Sequence, residues 1–103
     1  MKKLAVLLLS FAASLYANAE VVKIKNIGCD TSSGTCFILL EEPYKSLDCQ
    51  HNNSQIRFNH TSAGFKNQWP IVIAAFLAEK PLHIFATSCY ETQPTPAYLY
   101  MSK

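Results

Sequence analysis

A small, mainly β domain with one helix and two disulfides is the fold class this sequence predicts, on three observations. Apolar and polar residues alternate over several short stretches, which is the period of a half-buried strand. Between Asn67 and Ala78 the apolar period lengthens to that of a helix. Four cysteines, Cys29, Cys36, Cys49 and Cys89, follow a segment laid out like a secretory leader.

The leader comes first. Lys2 and Lys3 give it a charged start, residues 4–15 form an apolar run, and Ala17-Asn18-Ala19 supplies a small-residue cleavage site. The run is too short and wrongly flanked to span a bilayer, and no second run of sufficient length follows it. Residues 1–19 are therefore expected to be a cleaved signal peptide. Residues 20–103 are expected to form one domain, periplasmic or secreted, with no membrane insertion.

Export places the cysteines in an oxidising compartment, where disulfides are favoured over metal ligands or nucleophiles. A domain of this size buries only about two-thirds of its unfolded surface, so covalent links matter to it. Four cysteines allow three pairings. Gly28, Asp30, Ser32, Ser33 and Gly34 are turn formers that let Cys29 and Cys36 face each other across a hairpin, which leaves Cys49 to Cys89. In the loop-closure model the short link contributes about 2.5 kcal/mol and the long one about 4 kcal/mol. The hairpin register sets Ile27 opposite Ile38 and Lys23 opposite Glu42. His51 lies two residues after Cys49, but the spacing matches no common zinc pattern.

Taken in order, residues 21–27 alternate, with Val22 and Ile24 on one face and Lys23 and Lys25 on the other. Residues 35–42 are apolar on both faces and read as a central strand ended by Pro43. Residues 44–54 are polar and read as a loop. Residues 55–59 form a third strand that buries Ile56 and Phe58 and exposes Arg57. A helix follows, with Asn67 as N-cap and Pro70 in its first turn. Its stripe is Trp69, Val72, Ile73, Phe76 and Leu77, and Pro81 lies beyond its end. Ile71, Ala74, Ala75 and Ala78 make the other side apolar as well, so a second covering surface is expected, either a loop or another subunit. Those four are the candidate subunit interface. Residues 82–87 form a two-faced strand, Pro94 and Pro96 interrupt the chain, and residues 97–101 form the last strand. Five strands with the helix between the third and fourth is the order of the OB-fold, a small partly open barrel. An antiparallel α+β sheet with one packed helix is the fallback.

The whole chain carries nine Lys/Arg against seven Asp/Glu, a net charge of +2. Lys2 and Lys3 leave with the leader, so the domain is neutral and holds no basic stripe; nucleic acid is excluded as the main partner. No motif implies a metal or cofactor, and Glu41-Glu42 point to opposite faces of a strand, so they cannot flank one bond. His51 and His60 read as exposed, and His83 as a structural imidazole. The chain is read as no enzyme. Binding is better supported: Tyr44, Tyr90, Tyr98 and Tyr100 are amphipathic rings of the kind found at interfaces. Tyr90, beside a disulfide and a Pro-rich loop, is the leading contact residue, with Asp30, Ser32 and Arg57 as further candidates.

The stretch Cys29-Asp30-Thr31-Ser32 before Cys36, Ile56-Arg57-Phe58 and the apolar helix 69–78 form a pattern that continues with Lys80-Pro81-Leu82-His83-Ile84 and Cys89. This pattern resembles the receptor-binding B subunits of bacterial AB5 toxins, of the subtilase cytotoxin and typhoid toxin type. The resemblance implies a ring of five subunits with helices lining the centre and glycan recognition on the outer face. Those subunits carry an N-terminal segment with a sialic-acid-contacting serine. This chain enters its first strand almost at the cleavage site, so no sugar-contacting residue carries over. The expected function is a non-catalytic, oligomeric, glycan- or receptor-binding module. The alternative is a monomeric periplasmic inhibitor or immunity protein that inserts the disulfide-tied loop 30–34 into an enzyme.

Overall fold

The structure, a computed structural model, describes residues 19–103; apart from Ala19, the leader lies outside the described residues. Six strands and one helix follow in the order β1 (Glu20–Val22), β2 (Ile24–Cys29), β3 (Cys36–Leu40), β4 (Gln55–Phe58), α1 (Phe65–Ala78), β5 (Leu82–Tyr90) and β6 (Gln93–Tyr100). The domain is mainly β with one helix and two disulfides. The closed five-stranded barrel is not formed. The strands make two open antiparallel sheets, β1-β5-β6 and β2-β3-β4.

Two local features account for the difference. The first predicted strand divides at Lys23, so β1 joins β5 while β2 joins β3, and the helix falls between the fourth and fifth strands. At the other edge, β6 starts at Gln93 and takes in Pro94 and Pro96, which sequence reading placed in a loop. A proline has no N–H to give a second neighbour and belongs on an edge strand. Pro94 pairs with Cys89 and Pro96 with Ala86, on the β5 side alone.

A bulge resolves how β2 keeps its apolar side inward. Register slips by one between Ile24 and Asn26, so the inward positions run Val22, Ile24 and then Ile27. Ile27 does pair with Ile38, but the same slip moves Lys23 away from Glu42: its carbonyl accepts from Glu41 N–H at 3.1 Å. The core then gathers Ile38, Leu40, Ile56, Phe58, Leu82, Ile84 and Leu99 from the sheets.

Helix α1 closes one side of that core. It begins at Phe65 behind Gly64, earlier than the Asn67 cap expected, and no side chain caps it. Pro70 therefore sits in the second turn, where it leaves one carbonyl without a helical donor. Phe65 and Trp69 close edge-on over Phe58, with centroids at 6.3 and 5.3 Å. Only Val72 and Ala75 are fully buried. The buried arc is thus rotated from the predicted stripe: Ile73 is 39% and Leu77 76% exposed. At the C-terminus, Glu79 turns left-handed (φ 56°) and Lys80 N–H donates to Ala75 O at 2.9 Å, which ends the helix before Pro81.

The loop after β3 supplies a core residue that strand periodicity does not reveal. Tyr44 is 2% exposed, not a surface ring. Its hydroxyl accepts from Ala86 N–H at 3.1 Å and donates to Ile84 O at 3.4 Å, and Ile84 is the last residue of β5 that β1 pairs. Asn53, also buried and left-handed (φ 57°), ties the loop together. Its amide donates to the carbonyls of Tyr44 and Leu47, and its oxygen accepts from Cys49 N–H at 3.3 Å. Of the other tyrosines, Tyr98 and Tyr100 lie on the exposed face of β6. His83, read from the sequence as a structural imidazole, is half-buried and stacks on Tyr100 with centroids 4.6 Å apart.

Candidate functional site

The β2–β3 hairpin and the β5–β6 hairpin approach each other over β4, and Arg57 lies between them. Cys29 pairs with Cys36 in register and the disulfide closes the first hairpin. Its tip is held by Asp30 N–H to Thr35 O at 2.8 Å and Gly34 N–H to Asp30 O at 2.9 Å. Gly34 is left-handed (φ 75°), and a Cβ there would stand 3.2 Å from the His60 ring, so a larger residue would be strained.

Arg57 points outward from β4 between the buried Ile56 and Phe58, as a strand's alternation demands. It is opposite Phe37, and its guanidinium carbon sits 5.2 Å from that ring centroid. Nε donates to Glu91 at 2.8 Å, one terminal nitrogen to Gln55 at 2.8 Å, and the other to Asp30. The side chain is only 14% exposed, so the prediction of a solvated Arg57 is corrected: three acceptors and a ring cover it. Burial works against its charge, but the bonds to Glu91 and Asp30 outweigh that and raise its pKa above the usual value. The carboxylates themselves are well exposed, so each pair stabilises the fold by no more than about 1 kcal/mol. Their effect is to fix the guanidinium in one place.

Beside Arg57 lies an open cleft of about 510 Å³ lined by His51, Asn52, Ser54, Gln55, Glu91, Thr92 and Gln93. Two crosslinks shape it. Cys49–Cys89 joins the loop wall to the hairpin wall, and His51 N–H reaches Thr92 O at 3.4 Å. Cys49 is thereby committed to a disulfide and cannot share a metal with His51.

The hairpin tip is strained. Glu91 (φ 50°) and Thr92 (φ 68°) are both left-handed, as a two-residue mirror-image turn requires, yet neither is the glycine or asparagine such turns favour. A β-branched residue there is an outlier that surrounding contacts must hold in place. Thr92→Gly is expected to raise the unfolding free energy by about 1 kcal/mol in a urea titration. An unchanged or lower midpoint would show that Thr92 is not held against its preference.

Of the four contact candidates, the structure brings Asp30 and Arg57 together. Tyr90 is half-buried at the base of the strained turn, paired with Gln93, and Ser32 stands exposed at the first hairpin's tip. Glu91, Gln55, Gln93 and Thr92 were missed. The signal lay in the cysteine pairing: linking Cys49 to Cys89 necessarily brings residues 51–52 beside 91–92. Of the four interface candidates, Ala75 is fully buried and Ile71 packs against the chain's own core, while Ala74 and Ala78 are exposed. Among the described residues no helix is long and apolar enough to cross a membrane, and both disulfides point to an oxidising, exported setting. Comparison of the chain with protein-family models, with curated proteins and with solved structures finds no match.

Proposed function

We propose that the chain is an exported, non-catalytic binding domain that holds a glycan in the cleft beside Arg57. One observation carries this reading. A guanidinium immobilised by Asp30, Gln55 and Glu91 stands at the edge of a cleft whose other walls are amides, hydroxyls and an imidazole. Fixed polar groups converging on a concave site give orientation and specificity, and their mutual bonds lower the entropy cost of binding. The proposal rests on this site and not on the toxin-subunit resemblance. Arg57→Met is expected to abolish binding of the folded protein to an array of immobilised oligosaccharides. Full binding by that variant would sink the assignment.

The same proposal includes self-association through the arc Ile73, Ala74, Leu77 and Ala78 of α1, the side the domain's own sheets leave open. Light scattering behind size exclusion is expected to give an oligomer for the parent chain and a monomer for Leu77→Glu. A monomeric parent removes this part of the proposal.

A second reading has its own observation. Residues 31–34 are all exposed on a tip tied at its base by Cys29–Cys36, the form of a loop that plugs an enzyme. Stoichiometric capture of an enzyme, lost when Thr31, Ser32 and Ser33 are replaced, with no signal on the array, would favour it.

A further inference from the structure

We infer that the Arg57 cleft takes a neutral saccharide and discriminates against acidic ones, an inference that rests on the glycan reading above. Arg57 supplies one positive charge, while Asp30 and Glu91, both bonded to it, supply two negative ones, so the cluster carries a net charge of −1; Glu91 lines the cleft, and Asp30 is bonded to Arg57 without lining it. All three guanidinium nitrogens already have acceptors: Nε has Glu91, one terminal nitrogen has Gln55 and the other has Asp30. A ligand carboxylate or sulfate could reach only the remaining terminal N–H groups, and there it would stand beside the carboxylates already bonded to Arg57. Like charges brought together beside these half-exposed carboxylates are disfavoured.

What remains unused is a mixed set. Each terminal guanidinium nitrogen retains a second N–H, and Glu91, in the cleft wall, uses one oxygen on Arg57 and keeps the other. Asn52, Ser54 and Thr92 add amide and hydroxyl groups that can donate and accept. Donors and acceptors lying side by side are matched by neighbouring hydroxyls, since each hydroxyl does both. No aliphatic residue lines the cleft, which favours a polar ligand over an apolar one.

The test uses the whole exported domain and matched probes: an array carrying neutral oligosaccharides and the same chains capped by sialic acid or sulfate. Neutral members are expected to bind, and acidic capping to weaken them at least tenfold. Glu91→Gln keeps an oxygen acceptor for Arg57 while bringing the cluster to neutrality. It is expected to shrink that discrimination several-fold, read as the ratio of neutral to acidic binding within the variant itself. Preference of the parent for the acidic members, or discrimination unchanged in Glu91→Gln, overturns the inference and leaves the glycan reading standing. Binding to no member overturns the glycan reading, and the inference with it.

Discussion

Tyr44→Phe is expected to lower the unfolding free energy by about 2 kcal/mol, and Tyr44→Ala by about 4 kcal/mol. The smaller change removes only the hydroxyl. Ala86 N–H, beyond the last residue of β5 that β1 pairs, and Ile84 O then lose a buried partner. An orphaned buried donor or acceptor costs more than the bond itself contributes. The larger change adds a cavity where a wholly buried ring stood. Urea titration of the two variants checks both values. A Phe variant as stable as the parent would mean that β5 finds other partners for those groups. The hydroxyl also gives a pH signature. Burial raises its pKa above the ordinary 10.0, against the opposing bond from Ala86. The unfolded chain ionises first, so this contribution is complete below pH 10 and is lost as pH climbs through the folded value. The parent should therefore lose stability at high pH more steeply than Tyr44→Phe.

Tyr44 also shows where sequence reading stopped. Strand alternation was legible: Ile56 and Phe58 turn inward and Arg57 outward, and Cys36, Ile38 and Leu40 line the interior. Turn chemistry was legible too, since the glycine and polar residues between Cys29 and Cys36 gave both the hairpin and the pairing of all four cysteines. Periodicity carries no information about a loop. A tyrosine between Pro43 and Lys45 looks like surface until its hydroxyl is seen to complete a sheet. The bulge after Ile24 was equally hidden, because one extra residue changes the face of everything beyond it without altering composition. The open sheets follow from such details. A count of strands suggested a barrel, but the break at Lys23 and the prolines of β6 determine which strands share a ladder.

The site was half legible for the same reason. Arg57 and Asp30 stood out as charged residues on elements that proximity in sequence could place. Glu91 sits on a turn that no pattern marks, because Glu-Thr is a poor sequence for the conformation it adopts. Its partners hold it there, and they come from residues more than thirty positions away, as the 34-residue separation of Arg57 and Glu91 records.

Replacing Cys49 and Cys89 together by alanine is expected to cost about 4 kcal/mol, against about 2.5 kcal/mol for the Cys29/Cys36 pair. The ordering comes from loop length: the links are 40 and 7 residues apart, and a longer closed loop removes more freedom from the unfolded chain. For a domain whose total stability is on the order of 5–15 kcal/mol, the first loss is severe. The two pairs should also differ in function. Cys49–Cys89 anchors the loop that places His51 and Asn52 against the strained turn, so its loss should weaken the proposed glycan binding even where the domain remains folded. Cys29–Cys36 positions Asp30, one of three acceptors on Arg57, and its loss should mainly loosen discrimination against acidic glycans. Urea titration of each double variant, followed by array binding at a temperature where both are folded, separates these effects. If the two pairs cost the same, loop length does not set their contribution. If the Cys49/Cys89 variant binds as the parent does, the cleft does not depend on that wall.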